Sequence, residues 1–370
     1  MRTVIITDAK YRASLAAIRV LGRAGYRVVV AQTRADCLWT PPAFVSRYAA
    51  EHHWLPGAAS DLHYAEYLLG LLERYDTPVL FCTGAATLNV VSWQRERFRT
   101  LCRFLVASPG SLDALNDKEA VHRRCIELGI PVPFEYQGVP DTYPVVVKPH
   151  CGEKFGLKAA ERYRIARNEK EWQSAVSAMS EYDAAPLVQE YIHGDAIGAS
   201  VLMGKDGALL GALCHRRIRE YPISGGPSAC CESIYDDALV EQAHRLLKSF
   251  GFQGLAMVEF KGGRVLEVNP RIWGSFPLTA CVRSPLALRY VQAAYGTPAP
   301  YAPHDYRNGV RMRFALNDTA AMLSLLRHGR FREFFAAVPD CFFAQEAIAS
   351  WRDPLPMFRY LRNALLTPHG

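Results

Sequence analysis

Three oxygen-bearing side chains and an arginine cluster in the segment GLAMVEFKGGRVLEVNPRIWGS, residues 254–275. Glu259 precedes a Lys-Gly-Gly turn, and Glu267, Asn269 and Arg271 follow it at two-residue spacing. Two strands joined by that turn would bring Glu259 close to Glu267 and Asn269, which share one sheet face. Carboxylate and amide oxygens suit one or two Mg²⁺ ions beside a polyphosphate, and an arginine can clamp a phosphate or carboxylate. The alternative is a strand with solvated charges.

Two of only nine lysines lie in the motifs NDK and VVVKP. Lys148 falls inside a β-branched run, where an ammonium is costly to bury unless an anion meets it. We therefore predict a phosphate contact from Lys148, against the alternative of an edge-strand lysine that reaches water. Lys118 by itself would be read as a solvated lysine at a helix start.

The loop from Cys151 to Lys158 holds two glycines and two lysines, one of them Lys154. Glycines let backbone amides approach a phosphate closely. We expect residues 150–158 to form a mobile lid over phosphates, although surface loops often contain two glycines. The loop lacks the spacing of a Walker A motif.

A cluster of arginines, Arg216, Arg217 and Arg219, precedes Ser-Gly-Gly at 224–226. Guanidinium groups suit a substrate carboxylate or a departing phosphate, so we predict a loop on the substrate side, with a solvated polar loop as the alternative. His150 and His215 lie near these motifs and could touch a ligand. No histidine or cysteine needs a catalytic role in this interpretation.

The elements that must position these residues begin with a doubly wound domain. TVIIT at 3–7, a helical stretch and YRVVVA at 26–31 form a β-α-β pattern of a parallel sheet, and PVLFC at 78–82 and FLVAS at 104–108 continue it. Gly22 lies near the predicted helix end, not in a dinucleotide fingerprint, which disfavours a nicotinamide site.

A second part begins after Pro109. A single charged helix over about 111–129 leads to the Lys148 strand, and 199–204 with 208–214 form a predicted hairpin. A helix over 236–250 precedes the Glu259 segment. Two amphipathic segments, 319–337 and 355–366, could cap the catalytic part, form a dimer seam or touch an anionic membrane surface.

Composition sets the class. A chain of 370 residues that is 50% hydrophobic favours two or three packed subdomains. The net charge of +7 is not gathered into a basic run, which disfavours nucleic-acid binding, and no apolar run is long enough to span a bilayer. Ten cysteines without a C-x-x-C spacing indicate free thiols in a reducing cytoplasm.

Several motifs in order resemble the ATP-grasp superfamily over residues 1 to about 290. They are DK at 117–118, VVVKP at 145–149, a glycine loop, QEYIHG at 189–194 and VEF…LEVNPR at 258–271. The stretches 215–233 and 353–365 are similar to one branch, the predicted ATP-dependent carboxylate ligases related to carbamoyl-phosphate synthase domains.

The resemblance implies an α/β and α+β chain of four parts. These are a doubly wound pre-ATP-grasp domain (1–108), a lid subdomain with the glycine loop (109–188), a catalytic lobe (189–300) and a helical C-terminal extension (301–370). It also implies bound ATP with Mg²⁺ or Mn²⁺, and no side-chain nucleophile.

The resemblance assigns roles residue by residue. The implied phosphate contacts are Lys118, Lys148 and Lys154. The implied adenine contacts are Gln189, Glu190, Tyr191 and Ile192, of which Glu190 and Ile192 act through backbone groups. The implied ribose contact is Asp195. Asp195 is a provisional substitute, because the family's usual ribose carboxylate is replaced by Ala196. The implied metal ligands are Glu259, Glu267 and Asn269, and Arg271 would act on the transferred phosphoryl group together with Lys148 and Arg217.

The implied reaction activates a substrate carboxylate as an acyl phosphate and joins it to an amine, or less readily a thiol. The expected partners are therefore a small carboxylate and a small amine, with a homodimer open. Two alternatives remain: a nucleotide-binding regulatory module without catalysis, and a carboxylase or synthetase that activates bicarbonate.

Overall fold

Three β-sheets organise the protein, which we describe from a computed structural model over residues 2–150, 163–223 and 225–366. The first sheet lies near the N-terminus, a small second sheet follows, and a large third sheet carries the segment of Glu259. The candidate site residues lie on and between the second and third sheets.

The N-terminal sheet has four parallel strands in the order β3-β2-β1-β4. They are β1 (Thr3–Ile6), β2 (Arg27–Thr33), β3 (Glu51–Leu55) and β4 (Val79–Phe81). The helices are α1 (Arg12–Arg23), α2 (Tyr64–Leu72), α3 (Ala85–Trp93) and α4 (Arg95–Arg99), with a 3₁₀ turn at Pro42–Val45. Apolar clusters cover both faces of the sheet, which confirms the predicted doubly wound domain.

The strands of this domain differ from the prediction at two places. Residues 104–108 are not a strand, because the Leu105 amide donates to the Tyr290 hydroxyl (3.1 Å) and Gln253 donates to the Val106 carbonyl (2.7 Å). Side chains thus bind this segment in place of a neighbouring strand, and those of Ser92 and Arg95 add to the two from the C-terminal part. Strand β3 was not predicted, since its sequence EHHWL lacks a β-branched run.

The predicted helix after Pro109 is two helices, α5 (Pro109–Asn116) and α6 (Lys118–Glu127). The break is at Asp117, whose carboxylate accepts from the amides of Glu119 (2.9 Å) and Ala120 (3.2 Å). An N-cap at this point starts a new helix and places Lys118 in its first turn.

The second sheet is antiparallel in the order β6-β5-β7 and packs on one helix. Its elements are β5 (Val145–Lys148), β6 (Arg164–Ala166), α7 (Glu169–Ser180) and β7 (Leu187–Glu190). Lys148 ends the central strand of this sheet. The predicted glycine loop, including Lys154, lies almost entirely outside the described residues.

The large sheet has seven strands in the order β12-β11-β8-β9-β10-β13-β14. Its strands are β8 (Ala196–Met203), β9 (Leu209–Glu220), β10 (Ser228–Ile234), β11 (Gly254–Lys261), β12 (Arg264–Asn269), β13 (Arg311–Arg313) and β14 (Gln345–Glu346). The hairpin predicted around residue 206 is confirmed, since β8 pairs antiparallel with β9. Helix α8 (Asp237–Ser249) packs with α5 and α6 on one face.

The other face of the large sheet packs against the N-terminal domain through α9 (Leu278–Cys281) and α10 (Leu286–Ala294). The C-terminal helices are α11 (Ala315–Arg327), α12 (Phe331–Ala337), α13 (Asp340–Phe343) and α14 (Leu355–Leu366). The tail is therefore not purely helical, because β13 and β14 extend the edge of the large sheet.

The tail is held to the N-terminal domain by a buried ion pair. The Asp353 carboxylate accepts from the Arg19 guanidinium (2.9 Å), the Ser46 hydroxyl (2.7 Å) and the Arg47 amide (2.9 Å). The side chains of Arg19 and Asp353 are only 6% and 1% exposed. Each charge therefore compensates the other for the free energy of hydration that both lose on burial.

We expect Asp353→Ala to lower the free energy of unfolding by about 3 to 5 kcal/mol, because it strands a buried guanidinium. Urea unfolding followed by circular dichroism measures this change. The matched control is Glu96→Ala, which removes an exposed partner of Arg99 and should cost about 1 kcal/mol or less. Equal losses for the two variants would contradict the structural role of the pair.

Candidate functional site

The hairpin of β11 and β12 brings the three oxygen-bearing side chains together. Gly262 and Gly263 take left-handed φ values of +53° and +77°, which suit a tight two-residue turn. Glu259 then stands directly opposite Glu267. The Asn269 amide donates to the Glu259 carboxylate at 3.2 Å. The predicted geometry is therefore present, while the ligand roles stay predictions.

The environment of Glu259 is unfavourable for a lone carboxylate. Burial, followed by the nearby charge of Glu267, raises the pKa of Glu259. Arg217 approaches it at 3.4 Å, and Arg271 is close enough to oppose the shift. Burial and the repulsion between the two carboxylates thus outweigh the nearby guanidinium groups, and such a carboxylate pair is a place where a hard cation fits.

The two lysines show the opposite imbalance. Burial, and next the ammonium of Lys118, lower the pKa of Lys148 to about 8. The Lys118 ammonium lies 4.0 Å from a Glu267 carboxylate oxygen. Two ammonium groups that disfavour each other, next to two carboxylates that do the same, fit an anion with its own divalent cation.

Among residues 2–150, 163–223 and 225–366, no three His, Cys, Asp or Glu side chains are arranged to hold a metal ion. The site at Glu259 has two carboxylates and completes its oxygen set with the amide of Asn269. Amide oxygens are ordinary ligands of hard cations, so the residues present fit Mg²⁺.

The hinge between the small and large sheets runs from β7 to β8. Gln189 is buried and donates to Glu135 (2.9 Å). Glu190 is bound at both its backbone and its side chain, since its amide donates to the Phe134 carbonyl and its carboxylate accepts from the Phe134 amide, each at 2.9 Å. In this arrangement the Glu190 amide is not available to adenine.

The rest of the hinge rests on the turn of the Glu259 hairpin. Ile192 is buried, and the ring of Tyr191 lies under the Lys261 ammonium, 4.8 Å from the ring centre. A side chain at Gly262 would come within 2.5 Å of the His193 carbonyl oxygen. The hinge and the candidate metal ligands are thus parts of one packed unit.

Asp195, the provisional ribose contact, is exposed and pairs with Arg216 at 3.2 Å. Arg216 also pairs with Glu232 at 2.8 Å, and this second contact can hold the guanidinium if Asp195 turns to a ligand. The ribose role of Asp195 stays a prediction.

The three arginines do not lie on a loop, which corrects the prediction. All are on β9, because the strand extends to Glu220. Arg219 faces away from the site and binds Asp318 and Asp340, each at 2.7 Å, so it anchors the tail. Arg217 faces the site, where it contacts Glu259 and is held by Glu220 at 3.2 Å.

Both histidines have partners within the protein. The His150 ring lies 2.8 Å from the Asp183 carboxylate. His215 is buried, and its Nε2 lies 2.9 Å from the Ser275 hydroxyl oxygen. Burial lowers the pKa of His215 to about 3, so this ring is neutral. Cysteines are free at every described position, as predicted.

Sequence reasoning missed two features beside Arg217. Gly198 lies between His215 and Glu259 across neighbouring strands, and a side chain there would come within 2.4 Å of the His215 ring. Tyr163, at the start of the small sheet, lies so close to Gly225 that a Cβ would meet its hydroxyl at 1.7 Å. The repeated glycines after β9 were the available signal for this close approach.

We predict that Glu267→Gln lowers the pKa of Glu259, because the substitution removes the neighbouring like charge and leaves the burial unchanged. Carboxyl carbon chemical shifts, followed by NMR during a pH titration without nucleotide or metal, measure it. Glu232→Gln, whose carboxylate pairs with Arg216, should leave the Glu259 titration in place. An unchanged Glu259 pKa in Glu267→Gln would mean that the two carboxylates do not interact.

Comparison with known proteins adds independent information. Residues 115–275 match the family of the ATP-grasp domain. No curated protein matches the sequence.

Solved structures match over most of the chain. Biotin carboxylase from Campylobacter jejuni, in complex with β,γ-ATP, has a TM-score of 0.62 at 18% identity and covers 84% of this chain and 74% of its own. The biotin carboxylase domain dimer of Hydrogenobacter thermophilus 2-oxoglutarate carboxylase, with MgADP, ADP and bicarbonate, has a TM-score of 0.63 at 16% identity and covers 84% and 73%.

The match extends to a longer enzyme as well. Rhizobium etli pyruvate carboxylase has a TM-score of 0.61 at 13% identity, with 84% of this chain and 30% of that one covered. At these identities the likeness concerns the fold. The parallel N-terminal sheet, small antiparallel lid and large sheet of this chain form the ATP-grasp fold, in which the matched residues 115–275 span the lid and most of the large sheet.

Proposed function

We propose that this protein is an ATP-dependent ligase that activates a small carboxylate as an acyl phosphate and joins it to an amine, releasing ADP and phosphate. The observation that carries the proposal is the facing arrangement of Lys118 and Lys148 with Glu259 and Glu267. At this site the two ammonium groups suit a polyanion such as a polyphosphate. The two carboxylates beside them suit the divalent cation that the polyphosphate carries.

Glu259, Glu267 and Asn269 would hold Mg²⁺, which neutralises charge on the nucleotide phosphates when bound. Lys118 and Lys148 would contact phosphate oxygens, and the hinge residues Gln189–Ile192 would lie against the adenine ring. Lys154 would add a phosphate contact from outside the described residues. Asp195 would hold the ribose.

The task of the protein in such a reaction is alignment and charge neutralisation, because phosphoryl transfer asks for little covalent help. The substrate carboxylate would attack the γ-phosphorus of ATP, and ADP would leave. The amine nitrogen would then attack the acyl carbon, and phosphate would leave. Arg271 and Arg217 would stabilise the charge on the phosphoryl group and on the acyl phosphate oxygens.

The position of Arg217 supports a role in stabilising that negative charge. Its guanidinium is held between Glu259 and Glu220, and its Nε donates to the Ser228 hydroxyl (3.2 Å). A guanidinium fixed on several sides loses little freedom when it meets an oxyanion. We assign Arg217 to the acyl phosphate side of the site.

The second candidate is activation of bicarbonate. It is favoured by the structural neighbours, which are biotin carboxylase domains and include one complex with bicarbonate. The resemblance of residues 215–233 and 353–365 to carboxylate ligases is what favours the ligase over bicarbonate activation, since the charged site at Glu259 suits either reaction. A regulatory module that binds nucleotide without turnover is the third reading, and the charged set at Glu259 argues against it.

Release of ADP and phosphate separates these functions. We expect release only when a carboxylate and an amine are both present, with a product whose mass equals their sum less one water. A screen of amino acids and other small carboxylates against amines, read by a coupled ADP assay and by mass spectrometry, tests this. Release with bicarbonate alone would support the second candidate. Nucleotide binding without release under every condition would support the third.

We predict that Lys148→Ala weakens binding of MgATP by about 10- to 100-fold, because it removes a charge-assisted phosphate contact. Isothermal titration calorimetry measures the affinity, and thermal unfolding shows whether the fold persists. Lys170→Ala is the matched control, since Lys170 is an exposed lysine on the helix of the same small sheet. Equal affinity in Lys148→Ala and the unaltered protein would make Lys148 a structural residue.

A further inference from the structure

The last helix, α14, is anchored on one side only. Asn363 donates to the Thr40 carbonyl (3.0 Å), and Asp353 just before the helix forms the buried pair with Arg19. Pro356 is the buried residue of the helix. These contacts fix the orientation of α14 on the N-terminal domain, so the opposite side has a defined direction.

That opposite side is apolar. Leu355, Phe358 and Leu365 are 58%, 67% and 87% exposed, and Arg362 is exposed between them. At 100° per residue, positions 355, 358, 362 and 365 fall within a sector of about 80°. The helix thus presents one continuous apolar stripe that carries a guanidinium.

Further exposed apolar side chains lie close to α14 in the sequence or next to one of its contacts. Trp351, four residues before Leu355, is fully exposed. Leu38 and Trp39 are 88% and 38% exposed and directly precede Thr40, which Asn363 contacts. We name the set Leu38, Trp39, Trp351, Leu355, Phe358, Arg362 and Leu365 the α14 surface.

The exposed charged side chains between residues 347 and 366 are all positive. Between residues 347 and 366 the sequence has one acid, Asp353, and it is buried against Arg19. Arg352 and Arg362 are exposed, and exposed Arg47 lies beside Arg352, with its guanidinium 3.4 Å from the Arg352 carbonyl. Nothing acidic in this stretch is left to pair with these guanidinium groups.

Tryptophan, phenylalanine and leucine beside arginine suit the boundary between lipid headgroups and acyl chains, where apolar side chains insert and cations meet phosphates. A second copy of this surface is a poorer partner, because a two-fold contact would set Arg362 and Arg352 against like charges. No helix among the described residues is long and apolar enough to cross a bilayer. The composition of the α14 surface thus suits a lipid headgroup region better than a second copy of this chain.

We propose that the α14 surface binds the face of a membrane rich in anionic phospholipids. The inference does not rest on the ligase function, because none of its residues belongs to the site at Glu259. It concerns where the protein works, not which reaction it performs.

Co-sedimentation of the full chain with vesicles tests the proposal. We expect binding to vesicles of equal parts phosphatidylcholine and phosphatidylglycerol, weaker at high salt, and little binding to phosphatidylcholine alone. Arg352→Gln with Arg362→Gln should lower the partition coefficient about 30-fold. Phe358→Ser with Leu365→Ser should lower it at least about tenfold. All four positions are exposed, and thermal unfolding verifies that each variant folds.

Phe335→Ser with Phe342→Ser is the matched control, since both side chains are exposed on other tail helices. This control should bind vesicles like the unaltered protein. Equal binding to both vesicle types, or equal losses in the control and the α14 variants, would overturn the proposal. So would a dimer in light scattering that Phe358→Ser with Leu365→Ser dissociates, without vesicle binding, because a second copy would then be the partner.

Discussion

Repulsion between like charges is the constraint on which the candidate site depends. Glu259 and Glu267 are forced to face each other by strand register, and Lys118 and Lys148 are brought together from a helix start and a strand end. In each pair, burial and the neighbouring like charge disfavour the charged form, as the raised pKa of Glu259 and the lowered pKa of Lys148 show. The fold keeps both pairs in place because backbone hydrogen bonding, and not attraction between these side chains, sets their positions.

The backbone that holds this arrangement is itself constrained by close packing. Gly194 in the hinge and Gly262 in the β11–β12 turn approach each other so closely that a Cβ on Gly194 would lie 3.1 Å from the Gly262 Cα. Both have positive φ, which glycine adopts without strain. The backbones of the hinge and of the β11–β12 turn are therefore in direct contact at this point.

The sequence predicted what depends on local pattern. Runs of β-branched residues identified most strands, and the Gly262-Gly263 turn with two-residue spacing placed Glu259 opposite Glu267. Long-range contacts were beyond such reasoning. The strand predicted at 104–108 failed because its backbone bonds to Tyr290, and the division of the arginines between the site and the tail depends on Asp318 and Asp340. A pattern read over a short stretch of sequence contains no information about partners that are 99 to 185 residues away.

The ion pair between Arg19 and Asp353 has a consequence for synthesis of the chain. Its partners are 334 residues apart, so at about 5 to 20 residues per second the ribosome delivers the second roughly 20 to 70 s after the first. Helix α1 also packs on α9 and α10, which emerge late. Until residue 294 has been made, the side of α1 that packs on α9 and α10 lacks its native cover. The nascent N-terminal domain is thus a natural client for chaperones that shield apolar surface until translation ends.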